Sequence, residues 1–184
     1  MESLNERRRL WVIPIIHAAA DLGSMAPQIE ARRRPESAAQ IADLWRQLRE
    51  QVLALPLDWT RVHVFQDSLP VCGREMEIVR ELARQGSPNF ALLEELAARG
   101  AQIEGTESAP LLLREVEIIR DGARWRPGAL AALASERDQF IARRIDERLP
   151  AGRDGLLFLG MLHEVEGYLP RSIEVLYPFS ITPD

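Results

Sequence analysis

Four short strand-like runs each stop at a polar or ionisable residue, and segments of helical length separate them. This recurrence limits the fold more than any other feature. Leu10 to Ile16 stops at His17, and Arg61 to Phe65 stops at Gln66-Asp67. Ala101 to Gly105 stops at Thr106-Glu107, and Leu156 to Leu162 stops at His163-Glu164. The first and last runs are continuously apolar, as a strand covered on both faces should be. Pro14 inside the first favours an edge position or a bulge. Ser172 to Tyr177 alternates and offers a fifth strand.

Between the runs, Ile41, Leu44, Leu48, Val52 and Leu55 keep helical spacing after a capping-box pattern at Ser37-Ala-Ala-Gln40. A second helix contains Ile78, Val79 and Leu82 and closes at Gly86. Ser87-Pro88 opens a third, which runs to Gly100, through an N-cap followed by proline in the first helical position. Leu111 to Ile119 and Leu130 to Leu149 are further helices. Ser135-Glu-Arg-Asp138 is either a capping box that starts the last one or a polar turn within it. Strands joined by helices of this length imply βαβ crossovers. The expected fold is a single α/β domain over residues 1–184, with a mainly parallel sheet of four or five strands and helices on both faces.

A parallel sheet delivers every strand's last residue to one edge, where open α/β sheets place their ligand sites. His17, Asp67, Glu107 and His163 should therefore converge. Imidazole nitrogens and carboxylate oxygens together can perform acid/base chemistry or hold zinc, manganese or iron. Asp21, four residues after His17, belongs to the same exit loop and is a further candidate ligand. Arg137, placed near the carboxyl edge by an antiparallel helix, can fix a site carboxylate or stabilise negative charge. Cys72 follows the second strand near a helix start; it is either a nucleophile or a buried structural thiol, the commoner case. His63 falls inside a strand and reads as structural.

The composition narrows the alternatives. Apolar residues make up 46% of 184, enough for a core without disulfides, and a net charge of −5 argues against nucleic acid. The 23 lysine-plus-arginine positions are all arginine, which removes Schiff-base and P-loop-lysine chemistry. One cysteine fits a reducing compartment, so the expected address is cytoplasmic. Arg7-Arg8-Arg9 before an apolar run imitates a signal peptide, but Glu2, Glu6 and Pro14 do not suit one. No run approaches the ~20 apolar residues of a membrane span. The dinucleotide G-x-G-x-x-G, P-loop, G-x-S-x-G and H-E-x-x-H patterns are absent.

Glu136-Arg137-Asp138 followed by Gly160-Met161-Leu162-His163 resembles the latter half of the TraB/Tiki/ChaN-like group, which includes erythromycin esterase relatives. In that group a Glu-Arg-Asn-like helix precedes a strand ending in Gly-x-x-His. The match to its first-strand histidine is Pro14-Ile-Ile-His17. The resemblance implies metal-dependent hydrolysis, or haem or other ligand binding. Three functions follow as expectations. The first is a metal-assisted hydrolase acting on a small molecule, with a divalent cation held by His17, Asp21, Asp67, Glu107 and His163. The second is a non-catalytic module binding a small ligand or haem at the same edge. The third is a structural protein whose Trp11, Trp45, Trp59 and Trp125 form interfaces, including those of a homo-oligomer.

Overall fold

The computed structural model describes residues 7–16, 38–120, 128–161 and 163–179. Five strands, β1 (Arg8–Ile15), β2 (Val62–Pro70), β3 (Gln102–Glu107), β4 (Asp154–Gly160) and β5 (Ile173–Leu176), form one sheet in the order β3-β2-β4-β1-β5. Every pairing is parallel. The helices are α1 (Ala38–Leu53), α2 (Glu75–Arg84), α3 (Pro88–Ala98), α4 (Ala109–Arg120) and α5 (Ala129–Arg148). Ser37, the expected cap of α1, lies outside the described residues.

The apolar runs of β1 and β4 pair along their whole length at the centre of the sheet, from Arg9 opposite Asp154 to Ile15 opposite Gly160. Alternation then sends their side chains to two cores. On one face Ile13, Ile15, Val64, Leu156 and Phe158 pack with Trp45 and Val52 of α1, Val79 of α2, and Phe90, Leu93 and Leu96 of α3. On the other, Leu10, Val12, Phe65, Leu157 and Leu159 pack with Ile141, Ala142 and Ile145 of α5. Helices thus cover both faces, as the strand and helix spacing implies. Among the described residues no helix is long and apolar enough to cross a membrane.

Several local expectations change. β1 is not an edge strand. Among the described residues β5 pairs with it only as far as Trp11, so on that side no ladder bond is lost at Pro14. Ser135 to Asp138 is neither a helix start nor a turn. α5 begins at Ala129, after Gly128 as N-cap, and runs through that tetrapeptide. The alanine-rich first turns favour helix, and Leu133, Arg137 and Ile141 recur every four residues on its buried face. Ser87 and Pro88 do start α3, with the Ser87 Oγ accepting from the Phe90 N–H at 3.1 Å. Trp45 is buried and donates to the Ile16 carbonyl at 3.2 Å, and Trp11 and Trp59 also pack on the core. Three of the four expected interface tryptophans therefore help to build the fold, and Trp125 lies outside the described residues.

Candidate functional site

β2 does not end at Phe65. It continues to Pro70 through an irregularity that carries Asp67: Gln66 pairs with Gly105 and Pro70 with Glu107, so β2 takes four steps where β3 takes two. Ser68 absorbs the extra length with a φ of 66°, in the left-handed region that costs a non-glycine residue energy. The strands can close over this bulge only because residue 105 is glycine. A Cβ there would lie 2.7 Å from the Pro70 carbonyl oxygen. The pairing is locked by the Thr106 hydroxyl, which donates to the Gln66 carbonyl at 2.6 Å.

The bulge sets the Asp67 carboxylate over the end of β4, where Oδ2 accepts the Gly160 N–H at 3.0 Å. At the end of β4 the His163 N–H returns to the Gly160 carbonyl at 3.1 Å, closing a turn that folds the imidazole back over the strand end. Glu107 is the last residue of β3 and is fully buried. Asp67, Glu107 and His163 each present a ligand-type atom, and these atoms lie within 4.8 Å of one another. Ligands around a tetrahedral ion at ~2.1 Å sit about 3.4 Å apart, so modest inward movement would bring the three to one cation.

Arg137 enters this group from α5, with only 5% of its surface exposed. It donates to both oxygens of Glu107, through Nε at 3.1 Å and Nη2 at 2.6 Å. Nη2 also reaches Asp67 Oδ1 at 3.3 Å, and Nη1 reaches Glu115 Oε1 on α4 at 2.8 Å. Its place in the helix differs from expectation: it lies about two turns beyond the N-terminus and faces the carboxyl edge from the side of the sheet. Burial pushes the Glu107 carboxyl up to about 7, and the nearby Asp67 charge adds to the rise while Arg137 opposes it. Against the desolvation cost, Glu107, Glu115 and Asp67 raise the Arg137 pKa above its ordinary value and keep the guanidinium charged.

Next to Arg137, Asp138 binds His163. Its Oδ1 lies 2.5 Å from His163 Nδ1, and its Oδ2 accepts the Glu164 N–H at 2.9 Å. His163 Nε2 faces Asp67 Oδ1 at 3.6 Å. Among the described residues, the cluster thus contains the carboxyl groups of Asp67, Glu107, Glu115 and Asp138 around the guanidinium of Arg137.

Of the residues expected from sequence, Asp67, Glu107, Arg137 and His163 come together. His17 and Asp21 lie outside the described residues. Cys72 is exposed on the turn after β2, contrary to the commoner buried reading, and its N–H donates to Glu75 Oε1 at 2.9 Å. His63 is held within the sheet against Glu104 at 3.3 Å, in keeping with a structural role. Glu164 is exposed and joins the site through its backbone. Sequence reasoning passed over Asp138 and Glu115 as site residues. Asp138 had a signal, the motif containing it, whereas Glu115 is one acidic residue among several on an amphipathic helix and carried none.

No protein-family model matches the chain, and no curated protein or solved structure matches it at a significant level.

Proposed function

We propose that the carboxyl edge of the sheet is a divalent-cation site that serves metal-assisted hydrolysis of a small-molecule substrate, in a cytoplasmic protein. The observation that carries this reading is the convergence of buried Asp67 and Glu107 with half-buried His163 within 4.8 Å, with further carboxyl groups around them. Asp67 and Glu107 supply hard oxygen donors and His163 an imidazole nitrogen, a set suited to zinc, manganese or iron. A cation bound there supplies Lewis acidity and a water acidic enough to attack near neutral pH.

The chain's own groups divide the remaining work. Arg137 is bonded to three carboxylates, so its role in this reading is to hold Asp67 and Glu107 in place and limit their mutual repulsion. Its three carboxylate bonds leave it engaged, so the charge stabilisation expected of it from sequence is not part of this reading. His17 and Asp21, expected from sequence as further donors, lie outside the described residues. The resemblance carried by Glu136-Arg137-Asp138 and Gly160-Met161-Leu162-His163 points the same way. Acidic neighbours around His163 suit a small hard cation better than the apolar plane of haem.

The test is titration of manganese or zinc into metal-free protein by calorimetry, with His163→Ala, Asp67→Asn and His17→Ala alongside. Saturable one-to-one binding, lost in the first two variants and weakened in the third, is the expected result. A wild-type protein with no saturable binding overturns the cation site. Cation binding without metal-dependent cleavage of any activated carboxyl or phosphoryl ester overturns the hydrolase and leaves a binding module.

A further inference from the structure

A histidine can offer a lone pair from only one ring nitrogen when neutral, and its neighbours decide which. Both oxygens of Asp138 are engaged: Oδ2 accepts the Glu164 N–H at 2.9 Å, and Oδ1 lies 2.5 Å from His163 Nδ1. An ionised carboxylate has no hydrogen to donate, so Nδ1 must carry the proton. The other nitrogen, Nε2, is 3.6 Å from Asp67 Oδ1, too long for a hydrogen bond. Nε2 is thus left with a free lone pair beside Asp67, in a group whose ligand atoms lie within 4.8 Å of one another. Asp138 is 4% exposed and sits one residue from Arg137, so a single stretch of α5 fixes the carboxylate half of the site and the imidazole half together.

We propose that Asp138 is the positioning residue of this site. It selects the Nδ1–H form of His163, leaves the Nε2 lone pair free beside Asp67, and makes that nitrogen a better donor for a cation. The role in ligation rests on the cation site proposed above, whereas the choice of tautomer does not. The second Asp138 bond, to the Glu164 N–H, makes an amide in this place act in the opposite sense. In Asp138→Asn only the side-chain oxygen can accept from Glu164, which turns the NH2 group toward His163. Nδ1 must then accept, and the ring proton moves to Nε2, where it blocks the ligand position. A substitution that changes one atom and keeps the shape should thus reverse the tautomer, which a purely space-filling role would not do.

The experiment is nitrogen NMR of the full chain with labelled histidine, at a pH high enough that the ring shifts no longer change. The His163 signals are assigned among the three histidines with His163→Gln. Wild-type protein is expected to show His163 as the Nδ1–H tautomer, and Asp138→Asn to show the Nε2–H tautomer with a thermal melt that remains cooperative. Manganese or zinc affinity should fall at least tenfold in that variant, in line with the ~10- to 100-fold effects of removing an orienting partner. A wild-type His163 in the Nε2–H form overturns the proposal even if the variant fails to fold. So does a folded variant that retains Nδ1–H, or a switched tautomer with unchanged cation affinity. A tautomer switch in a protein that binds no cation supports the assignment of Asp138 and overturns the metal reading instead.

Discussion

The Arg137 guanidinium bonds to carboxylates on β2, β3 and α4, so the site and the fold share one cation. Removing it takes the guanidinium away from buried Asp67 and Glu107, which then face each other. Arg137→Met should cost about 3–5 kcal/mol in urea unfolding without metal. Excess manganese should recover part of the loss by supplying the missing charge; no recovery would count against a cation at this position. A second buried carboxylate, Glu104, is of the ordinary structural kind. Burial raises its pKa, but hydrogen bonds from His63 and Arg148 outweigh this and hold it below 4.5. A folded-state pKa below the unfolded one stabilises at pH above the unfolded value, and the contribution is lost as pH falls through the folded value. Wild-type protein should therefore lose stability on acidification below about pH 4.5 more steeply than Glu104→Gln, which should be the weaker of the two at pH 7. Urea midpoints across that range measure both. At this scale the polar strand ends could be read from sequence because each follows an apolar run. The partners of Arg137 could not, because they are 22, 30 and 70 residues away along the chain.

β2 shows how an element is shaped by its neighbour. The sequence reads as a strand that stops at Gln66-Asp67, yet it continues to Pro70 because the bulge at Ser68 lets the chain stay paired with β3. Gly105 is the residue on which this depends. Gly105→Ala puts a Cβ 2.7 Å from a backbone carbonyl oxygen that cannot rotate away, so the strands must separate. Overpacking of this kind costs about 1–3 kcal/mol. It should also displace Asp67 and Glu107 from each other, which predicts a fall in cation affinity larger than that of surface substitutions. If calorimetry shows stability lowered and affinity intact, the bulge shapes the fold but not the site. α5 makes the same point for helices. Ser135 to Asp138 has the composition of a cap, and local sequence contains nothing to forbid one. Burial of Leu133, Arg137 and Ile141 along a single stripe makes it the middle of a helix instead.

For the whole molecule, a cation that binds only the folded state adds stability by mass action. The increment is about 2.7 kcal/mol at a concentration one hundred times the dissociation constant. A melting temperature that rises with manganese in wild-type protein and stays level in Asp67→Asn is the expected pattern; equal rises in both would place the cation elsewhere. The parallel sheet and its two-faced helical cover were legible from the chain alone, since they depend on periodicity and on the length of the connections, both local quantities. That Asp67, Glu107 and His163 share one edge of the sheet followed from parallel topology; that they meet within 4.8 Å depended on β3, β2 and β4 being neighbours. The order β3-β2-β4-β1-β5 was not legible, because which strands become neighbours depends on packing between segments far apart in sequence. Nor were the bulge that carries Asp67 to Gly160, the charge balance around Arg137, or the Asp138 bond that orients His163. Hydrogen bonds and desolvation act through space over a few ångströms, and only the folded chain brings those atoms that close.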